Sequence, residues 1–220
     1  MELTAAETRV LGCLLEKHLA TPNTYPLTLN GVVAACNQTS NREPATTYSD
    51  TEVATALGGL RQKGAARIVY GSGQRAEKYR HVLDEVWGLD EQHRAVLSVL
   101  MLRGPQTVGE LRGRTDRLAR FDSLGEVEQV LRLLANREDP LARRLERAPG
   151  QKEARWVELF SGEAAAQDAA ARAEEVPHRE DPATPSQTSR LDAIGAEVEG
   201  LRAEVAELRA LVEVLRTLLD

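Results

Sequence analysis

No run of apolar residues in this chain approaches the roughly 20 needed to span a bilayer, and the opening stretch MELTAAETRV is acidic and lacks the apolar centre of a signal peptide. The expectation is a cytoplasmic protein with no membrane partner. Cysteine is scarce: Cys13 and Cys36 are the only two, each within an apolar helical pattern, neither beside another Cys or a His at metal-ligand spacing. That pattern reads as two inert core residues, and a reducing compartment disfavours a disulfide between them. Neither a metal nor a cofactor is expected.

Catalytic constellations are missing too. The histidines at 18, 81, 93 and 178 fall on separate predicted elements, no serine stands in a nucleophile elbow, and YGSGQR (residues 70–75) is a hairpin turn, because no lysine-bearing helix follows it. A non-enzymatic protein is expected. Excess positive charge is also absent, since the formal net charge is -6. The acidity is concentrated, however: residues 1–88 carry 9 basic and 9 acidic side chains, residues 89–160 carry 13 and 12, and residues 161–220 carry 6 and 13. The part able to fold is close to neutral, which permits nucleic-acid binding through local patches without announcing it.

What the chain does contain is an internal repeat. LTAAETRVLGCL from Leu3 and LDEQHRAVLSVL from Leu89 superimpose Leu3, Val10, Leu11 and Leu14 on Leu89, Val96, Leu97 and Leu100, with Thr4 and Asp90 each as N-cap. A second match closes each unit: GQRAEKYRHV from Gly73 and GQKEARWVEL from Gly150 align Gln74 with Gln151, Arg75 with Lys152, Lys78 with Arg155 and Tyr79 with Trp156. Both follow strand-like runs across a Gly or Pro-Gly turn, so each unit ends in a β-hairpin. Between these ends lie two more helical stretches per unit. One carries Val53, Leu57 and Leu60 with Gly64 as its stop, and its counterpart carries Leu124, Val127, Leu131 and Leu134. Three helices and a hairpin, twice, is the winged helix-turn-helix order.

Beyond Phe160 the composition changes. Residues 163–189 are rich in Ala, Glu, Asp, Pro, Ser and Thr with almost no large apolar residue, which leaves too little to bury to offset the entropy of ordering; they read as a flexible linker. The tail then spaces Leu191, Ile194, Val198, Leu201, Val205, Leu208, Val212, Leu215 and Leu219 at alternating intervals of 3 and 4. β-Branched residues at position a with Leu at d favour a parallel two-stranded coil, and Glu197 and Glu204 at g face Arg202 and Arg209 at e of a partner chain. The alternative is an amphipathic helix folded back on its own domain. The expected class is therefore mostly α with small β-hairpins (α+β): winged helix-turn-helix domains at 1–88 and 89–162, a linker at 163–189 and a coiled-coil helix at 190–220, dimerising through the coil.

At LLEKHLATPNTYPLTLNGVVAACNQTSNREP (residues 14–44), LMLRGPQTVGELRGRT (100–115) and PGQKEARWVELFSG (149–162) the chain resembles the YceH family of bacterial proteins. The resemblance covers residues 3–162 and departs modestly at 156–158. It implies a tandem winged-helix fold in a bacterial cytosol, and brings neither a defined activity nor a set of active-site residues.

For function, the candidate nucleic-acid contacts are Gln74, Arg75 and Lys78 on one wing and Gln151, Lys152 and Arg155 on the other, where basic side chains can reach phosphate. The polar loop NQTSNREP adds Asn37, Asn41 and Arg42. Positive charge on the third helices comes only from Arg61, Lys63 and Arg132, while Thr51, Glu52, Thr55, Gly59 and Gln62 on one, and Glu126, Glu128 and Gln129 on the other, complete their unburied faces. A dimeric DNA-binding or transcription-regulatory factor is one expectation. A protein-interaction module that uses winged helices as a platform for another protein is the other, and fold analogy does not choose between them.

Overall fold

Local capping chemistry sets where the helices begin. In the computed structural model, which describes residues 1–70, 76–147 and 153–162 together with 165 and 167, the Thr4 hydroxyl accepts from the Glu7 N–H while the Glu7 carboxylate accepts from the Thr4 N–H, and α1 (Ala5–Ala20) starts there. The strand β1 (Leu27–Thr28) leads directly into α2 (Leu29–Cys36), capped by Thr28. After a loop, Ser49 and Glu52 form a second capping box for α3 (Asp50–Gln62). Gly64 then takes a positive φ of 70° that a side chain would resist, and releases the chain into β2 (Ala66–Val69). The returning strand β3 (Lys78–His81) lies between the other two, giving an antiparallel sheet of order β1-β3-β2.

The second half follows the same plan. A short helix α4 (Leu83–Trp87) precedes α5 (Glu91–Arg103), capped by Asp90 and ended by Gly104 at φ 72°. Thr107 caps α6 (Val108–Thr115), Ser123 caps α7 (Leu124–Ala135), and β4 (Ala142–Arg144) pairs antiparallel with β5 (Trp156–Glu158). The correspondence extends to single pairs. Tyr79 on β3 sits opposite Leu27, and Trp156 on β5 sits opposite Gln106, so the extended residue between the first two helices of each half meets the matched aromatic of its last strand.

One apolar core runs through both halves. Its closest seam is α1 on α5, where Gly12 lets the backbones approach: a Cβ there would stand 2.9 Å from Met101 Cβ and 3.0 Å from Leu102 Cγ. Backbone bonds tie the halves as well, with Glu43 N–H donating to Leu102 O at 2.8 Å and Leu3 N–H to Phe160 O at 2.6 Å. The chain is thus a mixed α+β protein of helices and small antiparallel sheets.

Two sequence expectations on the third helices are corrected. Leu124 was assigned to the buried stripe of α7 but is 54% exposed, because it is the first helical residue and its turn projects past the core; Val130 packs instead, beside Val127, Leu131 and Leu134. Gly59 was assigned to the open face of α3, yet it lies against α1, where a Cβ would overlap the Glu7 carboxylate. The helical stretch read over residues 27–38 begins two residues late, because Leu27 and Thr28 pair with β3 as β1 and the Thr28 hydroxyl caps α2; the helix α4 carries no sequence expectation. The heptad residues from Leu191 to Leu219 lie outside the described residues, as does most of the linker. No helix among the described residues is long and apolar enough to cross a membrane.

Candidate nucleic-acid interface

The outward side of α3 follows from its inward one. Val53, Ala56, Leu57 and Leu60 are buried, which turns Thr51, Ala54, Thr55, Gly58, Arg61 and Gln62 away from the core along one face. Every side chain on that face is small or polar, and a Cβ at Gly58 would meet nothing within 4 Å. Its acids are confined to the first turn, where Glu52 is engaged by the Ser49 backbone and hydroxyl, which hold its carboxyl below the ordinary value. Arg61 has no ion-pair partner among the described residues. Lys63 is committed, its ammonium bonding Glu7 at 2.5 Å.

The β2–β3 pair follows α3 in the chain, with β2 packed against that helix. Ile68 lies opposite Tyr79 and Val69 opposite Lys78. Tyr70 is 66% exposed where the chain leaves β2, and its hydroxyl and that of Tyr79 both donate to Glu77, at 3.2 and 2.9 Å. Partial burial and the Glu77 carboxylate push the Tyr79 phenol up, so it stays a neutral donor. These tyrosines were missed in the sequence, where Tyr79 served only as an alignment mark. Their signal is an aromatic at each foot of a hairpin whose turn carries a base.

The nine sequence candidates separate into three groups. Gln74, Arg75, Gln151 and Lys152 lie outside the described residues. Lys78 is half-buried on β3 with no ion-pair partner among the described residues. The other four have their hydrogen bonds turned inward. Asn37 pairs both ways with the Tyr48 backbone at 2.8 Å, and Asn41, at φ 58°, accepts from Arg103 at 3.0 Å. Arg42 is buried, and its five N–H groups meet five acceptors: Glu16 twice, at 3.1 and 2.7 Å, Ala35 O, Asn41 O and Gln38 Oε1. It has no donor left for a phosphate and instead knits the loop of residues 37–49 to α1 and α2. Arg155 likewise forks onto the α6 capping residue Glu110, at 2.7 and 3.2 Å, and donates to Pro105 O at 2.9 Å.

A polar cluster that sequence separation hides joins the two halves. His18 on α1 and His81 on β3, 63 positions apart, come within 2.8 Å through Nδ1 and Nε2. Arg94 Nη1 is 3.1 Å from the same His18 Nδ1. A guanidinium only donates, so His18 Nδ1 is the bare acceptor and His81 Nε2 carries the proton; His81 Nδ1 is then bare and accepts from Leu83 N–H at 3.3 Å. Tyr25 stacks on His18 at 4.6 Å and its hydroxyl accepts from the His81 N–H at 2.8 Å. Asp84 closes the cluster, 3.3 Å from Arg80 and 3.9 Å from Arg94.

Burial drives the His81 pKa down to about 3, and burial together with Arg94 lowers that of His18. A base so weakened is unsuited to proton transfer near neutrality. The cluster fixes α1, β3, α4 and α5 to one another. The two cysteines are buried and free, and the neighbouring Cys13 thiol together with burial pushes the Cys36 thiol up. Among the described residues no group of His, Cys, Asp and Glu is arranged to hold a metal ion.

Comparison with known proteins bears on what kind of protein carries this surface. A family model described as a protein of unknown function, DUF480, matches residues 3–151. A UPF0502 protein of Geobacter metallireducens is 54% identical over 160 residues, 73% of each chain. A UPF0502 protein of Chromobacterium violaceum is 48% identical over 162 residues, 74% of each chain. The UPF0502 protein YceH of Escherichia fergusonii is 45% identical over 205 residues, which is 91% of this chain and 93% of that one. With the family match spanning most of the folded part and these identities spanning most of both chains, the protein belongs to the bacterial DUF480 family of UPF0502 (YceH) proteins.

Proposed function

We propose that this protein is a non-enzymatic, dimeric DNA-binding factor built from two tandem winged-helix modules, the first of which approaches duplex DNA with the outer face of α3 and the β2–β3 wing. The observation that carries the reading is that α3 face. It holds small side chains, two threonines, Gln62 and Arg61, with no acid beyond its capped first turn. Small residues let a helix settle into a major groove, and a hairpin bearing Tyr70 and Lys78, with Arg75 between them in the sequence, suits contact with the flanking phosphates. The repeat of helix order and of the strand pairs at Tyr79 and Trp156 supports the same module twice. The heptads of residues 190–220 supply the dimer.

A second reading concerns the other module. On α7 the outer side chains include Leu124 and Leu133, 54% and 52% exposed, and Arg132 is spent on Glu128 at 2.7 Å. Exposed leucines with a neutralised base suit a protein partner better than a phosphate backbone. Fluorescence anisotropy with a labelled duplex tests the first reading. Arg61→Ala combined with Arg75→Ala weakens binding at least about tenfold, or about 1.4 kcal/mol, while Arg132→Ala leaves it unchanged. Equal affinity of the double variant and the parent rejects the α3 and wing assignment and leaves the protein-platform reading.

A further inference from the structure

A cleft of about 410 Å³ is walled by the end of α1, the turn that follows it, β1, α2 and the start of β3. Its chemistry is one-sided. Lys17 and Lys78 both line it, and no carboxylate among the described residues does. Among the described residues Lys17 pairs with Glu16 at 3.7 Å, and both oxygens of that carboxylate also accept from Arg42.

Of the neutral polar groups, Thr21 and Thr24 give their protons to backbone carbonyls of their own turn, while Thr28 and Gln38 keep donors to spare. Thr28 Oγ1 accepts the Gly31 N–H at 3.3 Å, which leaves its own proton to be given away. Gln38 Oε1 accepts from Lys17 at 3.3 Å and from Arg42 at 2.9 Å. Those two cations fix the amide with its NH2 turned from them, and no acceptor for that NH2 exists among the described residues. Between the polar ends the wall is apolar and low, formed by Pro26, Leu27 and Ala34.

A concave site of this size, lined by two lysines, two unused neutral donors and apolar residues, calls for an anion with an apolar body. We propose that this cleft binds a small organic anion, a phosphate ester or a carboxylate, with its charged group between Lys17 and Lys78 and its body on Pro26, Leu27 and Ala34. The position matters beyond binding. Thr28 caps α2 and pairs with Lys78 across β1 and β3, so a bound anion bridges α1, α2 and the root of the wing. On the DNA-binding reading above, it sets how the wing stands; the binding itself does not depend on that reading.

Amide NMR on the full chain tests the proposal with phenyl phosphate, benzoate and the uncharged benzyl alcohol as probes. Phenyl phosphate or benzoate shifts the Thr28, Gly31 and Ala34 amides saturably, and whichever binds more tightly identifies the anionic group; benzyl alcohol does not shift them. Lys17→Met and Lys78→Met each weaken the anion at least tenfold, Lys78→Arg retains it, and Lys63→Met, outside the cleft, changes nothing. Spectra unaltered away from the cleft certify that the variants fold. No saturable shift at these amides with either anion overturns the proposal, as do equal shifts with benzyl alcohol or undiminished affinity in both methionine variants. Because no DNA is present, failure here is separable from failure of the DNA-binding reading.

Discussion

At the scale of single residues, the basic side chains divide by whether their donors are already spent. Arg42 looked like a phosphate contact because a base in a polar loop is usually solvated, yet all five of its N–H groups are used internally. Arg42→Ala takes both guanidinium bonds from the Glu16 carboxylate and leaves two backbone acceptors, Ala35 O and Asn41 O, without that donor. Breaking a buried pair in this way costs about 3–5 kcal/mol, so urea unfolding of that variant shows a loss in this range; a loss under about 1 kcal/mol, the size of a surface ion pair, contradicts the assignment. His81 gives a second residue-scale prediction. Its pKa falls from 6.5 unfolded to about 3 folded, so between those values the unfolded chain binds a proton the folded one refuses, and stability declines as pH falls below 6.5. Integrated from pH 7.5 to 5, that decline is about 2 kcal/mol from this one group. His81→Gln flattens the profile over the same range, and an unchanged profile argues against a neutral buried imidazole.

At the scale of elements, α1 and α5 decide whether the halves act as one body. Gly12→Val places a branched side chain where even a Cβ is too close to Met101 and Leu102, and overpacking of that kind costs about 1–3 kcal/mol. Gly12→Ala is milder, because about 1 kcal/mol of helix propensity returns. Thermal unfolding therefore ranks parent and Ala close together with Val clearly below; Val equal to the parent contradicts tight packing at this seam. The helix starts were readable in the sequence because their determinants are local: Thr4 and Asp90 cap as expected. Strand β1 was not, since two residues are too few to show a period, and its existence depends on Tyr79, some fifty positions away. The His18–His81 contact was hidden for the same reason, each histidine having nothing unusual beside it in the chain. Leu124 misled because a stripe read by period alone takes no account of where the core ends.

At the scale of the whole molecule, two modules and a tail must act together. The tail prediction rests on the heptads: Leu201→Lys with Leu208→Lys puts uncompensated charge in the seam, and sedimentation equilibrium shows the parent as a dimer and the variant as a monomer. A parent that is monomeric at tens of micromolar contradicts the parallel coil. The central claim, that a neutral folded body with local basic patches binds duplex DNA, is tested most directly by the salt dependence of affinity. Each neutralised phosphate releases counterions, so log K against log salt falls with a slope of about -0.9 per contact. Fluorescence anisotropy of the full-length protein on a duplex, titrated from about 50 to 200 mM salt, yields a straight line with a slope of about -4 or steeper if both protomers place α3 and a wing on the backbone. No binding at the lowest salt, or binding indifferent to salt, contradicts the account.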